Sequence, residues 1–166
     1  MDQKNNALRV NIKHEVNINA PAADIFPLAC PVREEKWIDQ WHYELIYSSS
    51  GFNENNCIFS EQMSFPVLFE KPGTVHWHTV LYDPDAPQVN FLLTCGDMAL
   101  IKWETSFMTQ QDNSTQVSWN LIMTSLCREV DEIGQETLCE RLLTIIMFLG
   151  EALKHYCETG EMLKLN

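Results

Sequence analysis

The sequence predicts an α+β fold, a seven-stranded curved antiparallel sheet around a long C-terminal helix, with two short helices between strands 1 and 2. Three observations predict it. Residues 8–18 alternate, with Leu8, Val10, Ile12, Val16 and Ile18 on one face and Arg9, Asn11, Lys13, Glu15 and Asn17 on the other, the period of a half-buried strand. The last third of the chain changes period: Leu138, Leu142, Ile145, Ile146, Leu149, Leu153 and Tyr156 recur at three and four residues, as an amphipathic helix requires. Between them lie six more strand-like stretches joined by short turns, and strands joined that way pair antiparallel.

Each element follows from local chemistry. Pro21-Ala-Ala-Asp-Ile-Phe reads as a short helix, since proline at a first helical position loses no hydrogen bond, and Pro27 ends or kinks it. Pro31-Val-Arg-Glu-Glu-Lys-Trp-Ile reads as a second, with acids in its first turns. Strands are expected over residues 41–48, 55–62, 73–82, 88–95, 99–110 and 115–125, with a two-proline loop at 65–72. Ser50-Gly51, Asp83-Pro84-Asp85 and Asp112-Asn113 supply the turns. The final helix is expected from about Gly134 to Thr159, with Gly160 as its left-handed stop. A sheet of this size needs one face covered, and only one helix is long enough to cover it.

Composition bounds the function. The 166 residues suit a single domain, 1–166, with an ordered core over about 7–160. At 45% hydrophobic and 20% charged the chain reads as globular. Its net charge of -12, from 11 basic and 23 acidic residues, disfavours phosphate backbones and anionic lipid heads, so nucleic acid is not an expected partner. Residues 1–6 are polar, and the longest apolar segment, near 142–150, is too short to span a bilayer. A cytoplasmic protein without membrane insertion is expected, its six cysteines reduced and mostly serving as small core residues. Oligomeric state is left open, a homodimer included. The chain has no GxSxG, P-loop, GxGxxG or HExxH pattern, and no cofactor is expected.

The order of elements, together with three local motifs, resembles the START-like superfamily, also called SRPBCC or the polyketide cyclase/dehydrase and lipid-transport group, whose fold is the helix-grip. Asn17-Ile-Asn-Ala-Pro-Ala-Ala-Asp-Ile-Phe is similar to its first-strand-to-helix junction. Pro31-Val-Arg-Glu-Glu-Lys-Trp-Ile-Asp-Gln-Trp and His155-Tyr-Cys-Glu-Thr-Gly resemble signatures of one bacterial branch. That branch often has Pro-Gly-Trp after the second helix; here Asp39-Gln40-Trp41 stands instead, which implies a different turn into strand 2. The resemblance implies a cavity between sheet and helix that binds a small lipophilic molecule. It carries no universal catalytic residue.

Trp41, Tyr43, Tyr47, Phe59, Trp77, Phe91 and Trp119, with Met123 and Met147, are the expected ligand-binding residues; Trp103 shares their inward alternation. Aromatics with a polar tip suit a small-molecule pocket, and they equally suit a large core. His14 falls on the apolar face of its strand, where a polar ring is costly unless hydrogen-bonded. It is the candidate acid/base of a cyclase- or hydratase-type enzyme, with Tyr43 or Tyr47 as donor. The alternatives are a structural histidine held by a backbone carbonyl and a place beyond the end of the cavity. His76 and His78 share a strand face and could chelate a metal if a third ligand converged, but their face is expected toward solvent and no metal is expected. Arg33, Glu34 and Glu35 read as a solvated helix face, the alternative being that Arg33 reaches an inward carboxylate or a ligand acid. Binding of a hydrophobic or aromatic ligand is the first functional expectation; the enzyme and an acidic protein-interaction module are the alternatives.

Overall fold

A computed structural model describes residues 7–164 of the chain. Its elements are β1 (Arg9–Ile18), α1 (Ala22–Ile25), one turn of 3-10 helix (Phe26–Leu28), α2 (Pro31–Glu34), β2 (Tyr43–Tyr47), β3 (Ile58–Glu61), α3 (Ser64–Phe69), β4 (Val75–Asp83), β5 (Gln88–Cys95), β6 (Ala99–Thr109), β7 (Thr115–Ser125), α4 (Arg128–Ile133) and α5 (Gln135–Thr159). The sheet runs β1-β7-β6-β5-β4-β3-β2, antiparallel throughout. The two short helices therefore carry the chain from one edge of the sheet to the other. The α+β helix-grip architecture expected from the sequence is the one observed.

Three expected elements change, each for a local reason. The strand expected over 55–62 shrinks to β3, because the preceding residues form a tight turn instead. There the buried Asn53 amide donates to the Ala29 carbonyl (3.0 Å), its side-chain oxygen accepts from Thr79 Oγ1 (2.6 Å), and Asn56 takes a left-handed φ of 69°. The two-proline loop at 65–72 contains α3, which tolerates Pro66 because the first helical turn has no use for that N–H. In β4 the register shifts between Thr79 and Leu81. The inward row expected from alternation is Val75, Trp77, Thr79 and Leu81; the bulge interrupts it after Thr79, Leu81 is only half-buried, and Tyr82 packs on Phe26 with ring centroids 4.8 Å apart. In the turn into β2, Gln40 has φ 58°, the left-handed position that glycine fills without strain.

The α5 helix buries Leu138, Leu142, Ile146, Gly150 and Leu153 along one stripe and ends at Gly160, whose φ is 77°. It packs on β1 at one side of the sheet and on α3 at the other. Arg141 ties the second contact: its guanidinium donates to the Leu68 carbonyl (2.7 Å) and to Glu70 Oε1 (2.6 Å). Beyond α5, Leu163 makes an isolated parallel bridge with Ile38, and Lys164 Nζ pairs with Asp39 Oδ1 at 2.8 Å. Among the described residues no helix is long and apolar enough to cross a membrane.

Gly150 sets how closely α5 approaches β1. A Cβ there would lie 3.2 Å from His14 Nε2 and 3.6 Å from the Trp119 ring. Glycine in a helix interior costs about 1 kcal/mol against alanine, so Gly150→Ala should stabilise the helix except where it pushes on His14. The expected outcome in urea unfolding is a gain of about 1 kcal/mol from Gly150→Ala in a His14→Ala background, and little or none with His14 present. Equal effects in both backgrounds would contradict the close approach.

Candidate functional site

Protein interiors are normally packed to the density of organic crystals. Between the inner face of the sheet, α2, α3 and α5 lies instead a cavity of about 280 Å³, near the lower end of the roughly 300–1,000 Å³ usual for ligand sites. It has room for a ligand of one or two rings.

Its wall is aromatic because β3 to β7 turn their bulkiest inward positions toward it. Phe59 on β3 stands opposite Trp77 on β4, and Phe91 on β5 opposite Trp103 on β6. Phe59 and Trp77 stack at 5.5 Å; Trp77 meets Phe91 edge-on at 5.2 Å and lies tilted against Trp103 at 5.1 Å. Such pairs add to burial itself and hold the rings in place. Trp37, Trp41 and Trp119 complete the set, so all five tryptophans of the chain line the cavity. Four indole N–H groups are already committed: Trp37 to the Leu28 carbonyl (3.2 Å), Trp41 to the Pro31 carbonyl (2.8 Å), Trp77 to Glu61 Oε1 (3.4 Å) and Trp103 to Thr105 Oγ1 (3.1 Å). What these rings offer a ligand is their π surface. Val67 of α3 and Thr144 of α5 line the cavity and are also exposed, which places its mouth between those two helices.

Among the described lining residues one side chain is ionisable, Glu34. It is half-buried and lines the cavity. Burial, and secondarily the negative charge of Glu61, push its carboxyl from the ordinary 4.5 up to about 8. Glu61 is only 2% exposed but well satisfied: Oε2 accepts from the backbone N–H of Met63 (2.5 Å) and Ser64 (2.9 Å), and Oε1 from Trp77. Glu61 thus caps α3 and orients Trp77. No described residue donates a hydrogen bond to the Glu34 side chain.

The expected ligand-binding residues divide. Trp41, Phe59, Trp77, Phe91 and Trp119 line the cavity. Tyr43 stacks behind Trp41 at 6.3 Å and is not part of the wall. Met123 is fully buried in the sheet, paired with Val10 and Ile101. Tyr47 (56% exposed) and Met147 (47%) point outward; the β2 register shifts between Leu45 and Tyr47, and Met147 lies one position past the buried Ile146 on α5. His14 does not line the cavity either: it stacks at 6.0 Å on Trp119, which does. His76 and His78 are half-buried, alternate with the inward Val75, Trp77 and Thr79, and among the described residues no three metal-ligating side chains converge.

Glu34 is the correction with most consequence, since it belongs to a helix face expected in solvent. A signal existed. Glu34 lies three residues after Pro31, three before Trp37 and four before Ile38, and all three of those are buried. That spacing puts Glu34 on the inward face of a helical turn. The backbone continues that turn past α2, with the N–H groups of Trp37 and Ile38 both donating to the Glu34 carbonyl (3.0 and 2.8 Å). The thiols of Cys57 and Cys157 are pushed up to about 11 and that of Cys95 to about 12, mainly by burial, so these three are poor nucleophiles near neutrality.

The raised Glu34 pKa has a signature in stability. Unfolding returns the carboxyl to its ordinary value, so between about pH 4.5 and pH 8 the unfolded chain ionises while the folded one does not. Glu34 therefore lowers stability progressively as pH rises through that window, and the loss is complete above it. Glu34→Gln removes the effect. Its expected outcome is a stability gain that grows with pH to on the order of 3 kcal/mol near pH 8 and vanishes near pH 4, read by denaturant unfolding across pH. A gain independent of pH would contradict it.

No family model matches the chain, and no curated protein matches it. Solved structures do. A START superfamily protein from Mycobacterium smegmatis superposes with a TM-score of 0.66 at 15% identity, covering 89% of this chain and 97% of that one. A norcoclaurine synthase point mutant from Thalictrum, in complex with a transition-state analogue, gives 0.68 at 14% identity over 93% and 97%. The Zhui aromatase/cyclase from Streptomyces sp. R1128 gives 0.64 at 9% over 94% and 100%. At such identities the likeness is one of architecture, and the chain has the START-like helix-grip fold.

Proposed function

We propose that the chain binds a small hydrophobic or aromatic molecule in the cavity between the sheet and α5. The observation that carries this reading is an unfilled, tryptophan-walled cavity inside an otherwise close-packed core. A sequence selected for stability alone would fill such a void, since lost contacts around a cavity are costly. The names of two structurally similar proteins, an aromatase/cyclase and a norcoclaurine synthase with its transition-state analogue, support a small-molecule role for a chain of this fold. The orientation of the bound molecule follows from the wall: rings between the tryptophan faces, any polar group toward Glu34.

Naphthylmethanol, an uncharged two-ring alcohol, is a suitable probe. Isothermal titration is expected to give saturable binding at one site per chain. Ile145, on the cavity face of α5, offers a way to block it. Ile145→Trp should weaken the probe by roughly tenfold or more, at an overpacking cost of about 1–3 kcal/mol in stability. Absence of saturable binding, or equal binding by the blocked variant, would overturn the reading.

A further inference from the structure

We propose that the cavity selects a hydrophobic amine in its cationic form, with the ammonium held by the Glu34 carboxylate and flanked by tryptophan faces. This rests on the small-molecule reading above and specifies its ligand class. The first support is the sign of every charge at the site. Glu34 is the ionisable group among the described lining residues, and the buried Glu61 stands close enough to act on it. Among the described residues no lysine or arginine lines the wall. Arg33, next along α2, is turned away, with Nη1 donating to the Pro27 carbonyl (3.4 Å) and the guanidinium 5.2 Å from the Phe52 ring centre.

The second support is the wall. Five tryptophans line it, and the negatively polarised face of an indole is the best aromatic partner of a cation. Four of them cannot donate their N–H to a ligand acceptor without breaking a bond they already make. A carboxylate ligand would meet like charge and π faces; a cation would find one counter-ion with no bond from the protein. The net charge of -12 adds long-range attraction for cations.

Binding is then coupled to a proton. Without ligand, Glu34 holds its proton near neutrality. The amine arrives as an ammonium ion, Glu34 releases its proton to solvent, and the ion pair forms. The other groups around Glu34 leave this coupling to it. From β3 comes Glu61; from β2 comes Tyr43, paired with Glu61 in register, its phenol raised by burial and by Glu35 and Cys30. The lining residues of α3, β5, β6, β7 and α5 are apolar or bear hydroxyl or indole groups. Lys164 is paired with Asp39.

The test compares three ligands of one shape on the wild-type chain: naphthylmethylamine, naphthylmethanol and naphthoate. Calorimetric titration in buffers of different ionisation enthalpy reads protons released as well as affinity. The amine is expected to bind tightest and naphthoate weakest. Amine affinity should rise by roughly tenfold per pH unit below about pH 8, with close to one proton released per amine bound. Glu34→Gln should lower the ratio of amine to alcohol affinity at least tenfold and abolish the proton release. If the alcohol binds but the amine shows no preference, no proton release and no rise with pH, the amine proposal fails while the ligand-binding reading stands. If affinity for the alcohol falls as pH rises and the amine does not bind, Glu34 acts as a neutral donor and the proposal also fails. If none of the three binds, both readings fail.

Discussion

Two carboxyl groups sit at one end of an aromatic chamber, and the fold provides hydrogen bonds for only one of them. Glu61 receives the N–H groups of Met63 and Ser64, where α3 begins, and the Trp77 indole. In doing so it fixes where α3 begins and how Trp77 lies across the wall. Glu34 receives none and is kept uncharged by burial and by its neighbour. The asymmetry divides labour between two identical groups: one is structural, and the other stays available. An unsatisfied acid in an apolar place is costly to a fold, and its presence here ties the architecture to the chemistry proposed for the site.

The chamber itself follows from how α5 is held. On the β1 side, the missing side chain of Gly150 lets the helix settle against His14 and Trp119. On the other side, Arg141 binds it to the end of α3. Between these two contacts Phe59, Trp77, Phe91 and Trp103 lean on one another, with centroid spacings of 5.1–5.5 Å. Rings braced across strands cannot collapse inward to fill the gap, so the void persists beneath a well-packed core. The mouth beside Val67 and Thr144 opens where the short α3, rather than a strand, closes the surface.

Much of the architecture was legible in the sequence because it is written in periods. The alternation of residues 8–18 and the three-four spacing of the last helix both appear as read, and α5 ends where Gly160 said it would. The site was legible in part. Trp77 and Phe91 lie on regular strand segments, where alternation tells inside from outside. Tyr47 and Tyr82 lie beside register shifts, and a single inserted residue reverses every side chain after it. His14 was rightly placed on the inner face, but a face is larger than a cavity, and only tertiary contact shows that Trp119 stands between the two. Glu34 was obscured by its neighbours: a run of three charged residues, Arg33-Glu34-Glu35, reads as surface, and α2 is too short for periodicity to outweigh composition.

The central claim is that the cavity keeps an uncharged carboxylic acid among tryptophans, and its most direct test is the titration of Glu34 itself. Carbon-13 NMR of chain labelled at glutamate side-chain carboxyls, with Glu34→Gln used to assign the resonance, reads that titration residue by residue. The account predicts a midpoint near 8 for Glu34. A Glu34 midpoint at the ordinary value of 4.5 would mean a solvated carboxylate, and would contradict both the enclosed cavity wall and the chemistry built on it.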